Sequence, residues 1–234
     1  MSPYRHEVKH YNLHHYAQVI EQIDLYNQQP NVKESENKAF ATYLKAYALF
    51  NQNNYEAAES LFRAYIATQP ATNLQADALN RIGDCLFQAR KFTDAIECYT
   101  QVSNLKSVGA DYAILQNGYA QGLLHQYEKK VLVLNELIQL YPQSDYADEA
   151  LYEIARAHLQ QNKNREAIQA YQSLLQNYPN SNRAVKASLE MGMAYRTLKQ
   201  YDQAIQSFKN TIASYPTTEE AYAALEGLEQ VFVE

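Results

Sequence analysis

The sequence predicts an all-α solenoid of antiparallel helix pairs, on three observations. The dipeptide Tyr-Pro closes successive stretches at Tyr141-Pro142, Tyr178-Pro179 and Tyr215-Pro216. The three prolines are spaced 37 and 37 apart, and Pro70 lies 72 before Pro142, two periods of 36. A fixed period of this size marks an array in which each unit buries its apolar face against its neighbours. Between Tyr141 and Pro179, two amphipathic segments at helical spacing are joined by a polar turn. Only six Gly and six Pro occur in 234 residues, mostly at segment boundaries, which suits helices with short connections.

Taken in order, residues 1–35 form an irregular leading unit, a half repeat with a His-rich arm. Its helix is Leu13–Asn27, ended by Pro30, and Tyr4–Tyr11 reads as a short helix or a frayed arm. Five pairs follow at about 36–71, 72–108, 109–143, 144–180 and 181–216. In the first, Glu36–Asn51 turns Ala39, Thr42, Ala46, Leu49 and Phe50 to one side. Tyr55–Thr68 answers with Ala57, Ala58, Leu61, Phe62 and Ile66. The second pair runs to about Lys106 and is closed by Asn104–Gly109, with Ser107 and Gly109 as turn formers. The third spans Ala110–Tyr141, the fourth is the Tyr141–Pro179 stretch and the fifth spans Ser181–Tyr215. Residues 217–234 form a terminal half repeat or capping helix, with Leu225, Leu228 and Phe232 apolar. Ser144-Asp145, Asn180-Ser181-Asn182 and Thr217-Thr218 stand where hydroxyl and acidic groups can satisfy the first amides of a helix.

Composition bounds the function. Hydrophobic residues make up 47% and charged residues 20%, so the chain can bury a core. A net charge of −6 argues against broad nucleic-acid binding, which needs a cationic surface to displace counterions from phosphates. No apolar run is long enough to span a bilayer, so no direct membrane insertion is expected. The N-terminal stretch has no apolar core of a signal peptide, which makes the cytoplasm the default for a complete protein; a piece of a longer chain leaves the periplasm or envelope open. Cys85 and Cys98 form no metal motif and read as two small, partly buried hydrophobes, or as a bridge within one helix pair.

Small residues recur in register on the first helices at Ala46, Gly83, Gly118, Ala155 and Gly192, and on the second helices at Ala58, Ala95, Ala167 and Ala204. Aromatics open second helices at Tyr55, Phe92, Tyr127 and Tyr201, and large rings follow at Phe62, Tyr99, Tyr171 and Phe208. On these residues, and on the closing prolines, the chain resembles the tetratricopeptide repeat family over residues 36–234. Lys130 departs from the pattern where Ala is expected. Either its stem lies along apolar surface with the amine in water, or the helix pairs through Val131 instead. The family's tryptophan is absent, with Leu79, Ile114, Leu151 and Ser188 in its place. The stretches YPQSDYADEAL and YPNSNRAVKAS look most like the subgroup found in bacterial cell-envelope proteins, of the outer-membrane assembly lipoprotein and periplasmic cell-division coordinator type.

The resemblance implies a right-handed superhelix whose first helices line a concave face, where a protein or peptide partner would bind. Aligned on the repeat, that face carries Phe40, Tyr43, Tyr47, Phe50, Asn80, Asp84, Phe87, Tyr112 and Tyr119 in its aromatic N-terminal half. Glu149, Tyr152, Arg156, Lys186, Met193 and Arg196 make up its mixed-charge C-terminal half. Exposed rings are costly unless they bind something; the bland reading is that the leading helix covers Phe40–Phe50 or that the tyrosines pack between repeats. Arg81, Arg156 and Arg196 read as isolated cations. His6, His10 and His14, spaced by four, share a face that can hold a transition metal, but no Cys or carboxylate except Glu7 completes the set, and a solvated arm explains them. Asp145, Asp148, Glu149 and Glu153 read as a solvated acidic helix start. No nucleophile–base set and no glycine-rich phosphate loop occurs, so no enzyme activity and no cofactor are expected. The expected function is a non-catalytic scaffold that binds a peptide or helix in an aromatic groove. The alternative is a structural spacer, or a segment that self-associates through the C-terminal half repeat.

Overall fold

The computed structural model of the chain describes residues 13–28 and 36–233. Among them every regular element is an α-helix: α1 Leu13–Asn27, α2 Glu36–Asn51, α3 Tyr55–Ile66, α4 Thr72–Gln88, α5 Phe92–Leu105, α6 Ala110–Leu123, α7 Tyr127–Leu140, α8 Ala147–Gln160, α9 Asn164–Asn177, α10 Ala184–Thr197, α11 Tyr201–Ser214 and α12 Glu219–Val233. The described residues fall into two compact units divided after Leu124, α1–α6 and α7–α12. In each, every helix packs on the next in sequence, which is the contact pattern of an all-α helical repeat fold. None of the described helices is long and apolar enough to cross a membrane.

The turn from first to second helix is the same in several pairs. After α4, the Arg90 amide donates to the Phe87 carbonyl and the Lys91 amide to the Leu86 carbonyl, both at 2.9 Å, with Arg90 in the left-handed region at φ 60°. This is the Schellman arrangement that satisfies the last carbonyls of a helix. Asn53, Asn162 and Lys199 hold the equivalent positions, so the array uses polar side chains where glycine would be less strained.

The core repeats the small-against-large pairing. Ala46, Ala58, Ala95, Ala155, Ala167 and Ala204 are fully buried. A Cβ added at Gly83 would lie 2.5 Å from the Tyr99 ring, and one at Gly192 would lie 2.6 Å from the Phe208 ring. Gly227 meets the same Phe208 from α12, so this ring is wedged between two glycines.

Two local expectations are corrected. Lys130 neither reaches water nor yields its place to Val131. Its side chain is buried and Nζ donates to the Glu153 carboxylate across the α7–α8 contact. A buried carboxylate gives the amine a partner that water would otherwise supply. The hydroxyls of Ser144 and Ser181 do act at helix starts, but two residues before the N-cap positions, Tyr146 and Arg183. They accept from the amides of Tyr146 (3.1 Å) and Arg183 (3.0 Å) because an extra turn precedes α8 and α10. Cys85 and Cys98 are both buried free thiols. The repeated Tyr-Pro and Ser also join neighbouring pairs: the Tyr178 hydroxyl donates to the Pro142 carbonyl at 2.8 Å, and Ser181 donates to Asp148.

Candidate functional site

In the first unit the first helices of the pairs are α2, α4 and α6. On α2, Phe40 is 45% exposed and its ring stacks on Tyr43, with centroids 5.8 Å apart and planes at 21°. Leu44 is also exposed one turn along. Tyr43 itself is only 6% exposed, packed against Tyr47, Phe62 and Tyr65 at 5.0, 5.9 and 4.8 Å. The hydroxyls of Tyr43 and Tyr47 both donate to Oδ2 of Asp77 on α4, at 2.6 and 2.5 Å. Burial, reinforced by the Asp77 carboxylate, pushes the Tyr43 phenol well above its ordinary value, and burial does the same to Tyr47.

A second carboxylate organises the α4–α6 contact. Oδ1 of Asp84 accepts from the hydroxyls of Tyr99 and Tyr112, each at 2.8 Å. Its Oδ2 lies 2.5 Å from the Arg81 guanidinium, which sits between the Phe50 and Tyr112 rings at 5.6 and 5.3 Å. Asn80 is buried, and its Nδ2 donates to the carbonyl of Gly109, which starts α6 in the left-handed region at φ 84°. Phe50 and Phe87 are half-buried edge-to-face against Tyr55 and Phe92 of their own pairs, at 5.5 and 5.3 Å. Tyr47, Tyr112 and Tyr119 are half-buried. The leading helix does not cover Phe40. Asp24 of α1 pairs with Lys45, on another side of α2.

In the second unit, α8 and α10 repeat the theme. Tyr152 is 7% exposed, and its hydroxyl donates to Glu190 at 2.8 Å, joined on the same carboxylate by the hydroxyl of Tyr171. The guanidiniums of Arg156 and Arg183 lie over the Tyr152 ring at 5.9 and 5.8 Å. Arg156, exposed, is 3.4 Å from the Glu153 carboxylate that Lys130 already holds; half-buried Arg196 donates to Gln230. The three arginines expected to be isolated are therefore all engaged. The acidic start of α8 is not simply solvated either. Asp148 accepts from Ser181, Glu149 pairs with Arg183 and Glu153 is buried. An open polar cleft of about 420 Å³ is lined by Asp145, Asp148, Glu149, Asn180, Ser181, Asn182 and Arg183.

Of the expected face, the structure leaves Phe40, Arg156, Lys186 and Met193 exposed and Tyr47, Phe50, Phe87, Tyr112, Tyr119, Glu149 and Arg196 half-buried, and it buries Tyr43, Asn80, Asp84 and Tyr152. Asp77 and Glu190 were missed by sequence reasoning. The available signal was an acid on the next first helix, 34 residues after Tyr43 and 38 after Tyr152. His6 and His10 lie outside the described residues, and His14 falls in the first turn of α1. Among the described residues no group of three or more His, Cys, Asp or Glu can hold a metal.

Paired helices with small residues at their crossings and Schellman turns between them define an all-α helical-repeat protein. Tetratricopeptide repeat profiles match residues 31–72 and 43–102, and residues 149–181 and 186–218. Together these span more than half the chain, which belongs to the tetratricopeptide repeat family. Among solved structures it is similar to YrrB, described as a TPR protein with an unusual peptide-binding site, at 14% identity over 92% of this chain and 100% of that one, with a TM-score of 0.61. It is also similar to MamA (41 to end) from Desulfovibrio magneticus RS-1, at 15% identity over 80% and 99% with a TM-score of 0.63. A third likeness is to a tetratricopeptide repeat protein from Parabacteroides merdae, at 20% identity over 83% and 72% with a TM-score of 0.64. At these identities the likeness shows the fold. No curated protein sequence matches the chain.

Proposed function

We propose that the chain is a non-catalytic protein-interaction module that binds a peptide or helix on its first helices, with the α2 face of the first unit as an anchor. One observation carries this reading: Phe40 stands in the open on a ring-backed platform, with Leu44 exposed beside it. A rigid apolar surface of this kind gains from desolvation by a partner side chain and loses little conformational entropy on binding. The half-buried rings of Tyr47, Phe50, Phe87, Tyr112 and Tyr119 extend the face within that unit, and Arg156 and Arg196 supply polar contacts in the other. Similarity to a peptide-binding tetratricopeptide repeat protein supports the reading. The test is a synthetic peptide array read by fluorescence, with Phe40→Ala and Leu44→Ala variants checked for unchanged helicity. Retained affinity in the double variant defeats the proposal.

A second reading has its own observation. On α12, Leu225 is 51% exposed and Phe232 is 73% exposed, at the repeat positions held on α4 by the buried Leu79 and Leu86. Leu228 is half-buried against the Phe208 cluster. That open stripe supports self-association, or a spacer role in a longer array. A protein that stays monomeric in light scattering at high concentration counts against self-association. The YPQSDYADEAL and YPNSNRAVKAS stretches support a bacterial cell-envelope setting, which cell fractionation tests.

A further inference from the structure

We propose that the α2–α4 face of the first unit selects a basic residue, a lysine or arginine flanked by apolar side chains, with Asp77 as its counter-charge and Phe40 as its ring platform. This rests on the interaction reading above and names the chemistry of the partner.

The charge count along α4 comes first. Asp77, Arg81 and Asp84 lie within two turns, two carboxylates to one guanidinium. The guanidinium is committed: it lies 2.5 Å from Asp84 and is stacked between Phe50 and Tyr112. Among the described residues no cation lies within 4.0 Å of Asp77. Arg81 also acts on Asp77 through space, but its contact is with Asp84, so the two carboxylates together keep one net negative charge and Asp77 is the one without a direct cationic contact among the described residues.

The environment of Asp77 fits a cationic ligand. It is half-buried, so its charge is incompletely hydrated. Its hydrogen bonds come from Tyr43 and Tyr47, both to the same oxygen, Oδ2. Both phenols are held above their ordinary value by burial, so they stay neutral across the physiological range; they orient the carboxylate without cancelling its charge. Tyr43, whose hydroxyl touches Asp77, carries the exposed Phe40 ring on its face. Phe40 and Asp77 thus flank the same tyrosine, one on its ring and one at its hydroxyl, and a cation held near an aromatic face is attracted to its quadrupole. The aliphatic stem of a lysine or arginine and its neighbouring residues meet Phe40 and Leu44. An acidic side chain in the same place faces an uncompensated carboxylate in a weakly hydrated setting and is repelled.

The test uses the full chain and fluorescein-labelled ten-residue peptides with leucine and phenylalanine flanks, whose central residue is Arg, Lys, Gln or Glu. Binding is read by fluorescence polarisation to wild type, Asp77→Asn and Phe40→Ala. Wild type is expected to favour Arg or Lys over Glu by about tenfold, a discrimination equivalent to one charge-assisted contact. In Asp77→Asn, which keeps an acceptor for the tyrosines, that ratio falls to near one while affinity for the Gln peptide is kept. Because the substitution can loosen α2–α4, a second measurement stands beside it: the wild-type ratio must shrink as NaCl rises from low to high concentration. A ratio unchanged in Asp77→Asn or insensitive to salt, or no preference in wild type while the Gln peptide binds, overturns the cation proposal alone. Failure of every peptide to bind wild type overturns the interaction reading and this proposal with it.

Discussion

Lys130 and Glu153, 23 residues apart, form an ion pair whose side chains are both about nine-tenths buried. The lysine takes the place that alanine holds in the other second helices. It is tolerated because α8 presents a carboxylate at that spot. Removing one partner of a buried pair is expected to cost about 3–5 kcal/mol, because it strands the other charge. Lys130→Ala should therefore lower stability strongly, softened by Arg156 at 3.4 Å from the same carboxylate. The double variant Lys130→Met with Glu153→Met should recover most of the loss. A double-mutant cycle in urea measures this, and additive single effects would show that the pair is not coupled.

Phe208 between Gly192 and Gly227 makes a second prediction. A methyl group at position 192 has to displace this ring, so Gly192→Ala should destabilise the second unit by about 1–3 kcal/mol. Adding Phe208→Leu should return part of it, which thermal melts followed by circular dichroism will show.

His158 supplies a pH dependence. Burial, against a smaller opposing effect of Glu166, lowers its imidazole below the ordinary histidine value. The folded state thus favours the neutral ring, while the unfolded chain binds a proton near the usual value of about 6.5. The stability that His158 contributes is present above that pH and is lost as pH falls below it. Comparing melts at pH 7.5 and pH 5.5 should show a smaller acid-induced loss in His158→Gln than in wild type.

Arg90 and Lys199 are exposed residues in the left-handed region, at φ 60° and 56°. Glycine adopts this conformation without the Cβ penalty. Arg90→Gly and Lys199→Gly should each be neutral or stabilising by up to about 1 kcal/mol, and their effects should add. A lowered melting temperature in both would contradict the turn assignment.

The two thiols should be silent in the native protein. Burial pushes Cys85 up to about 12 and Cys98 up to about 11, so little thiolate exists at neutral pH. Labelling with a disulfide reagent is expected to proceed at the rate of unfolding, with both thiols reacting once denaturant is added. Fast labelling of either would show that its helix pair opens.

The helices were legible because their signals are local. Glu36–Asn51 and Leu13–Asn27 follow from apolar spacing, and the Ala58, Ala95, Ala167 and Ala204 register follows from a repeated close crossing of two helices. The face was legible only in part. The alignment points to Phe40 and Arg156, and both are exposed. It points equally to Tyr43 and Tyr152, which are buried because each hydroxyl finds a carboxylate on the next first helix. A unit aligned on itself does not show what its neighbour presents.

By itself the sequence determined the repeat: its period, its helix pairs and the small residues that let them approach. The tertiary structure alone decided which polar groups meet. Asp77 gathers Tyr43 and Tyr47, Glu190 gathers Tyr152 and Tyr171, and Glu153 receives Lys130. The physical reason is range. A helix satisfies its own backbone within four residues, whereas a buried charge needs a partner that only packing brings near.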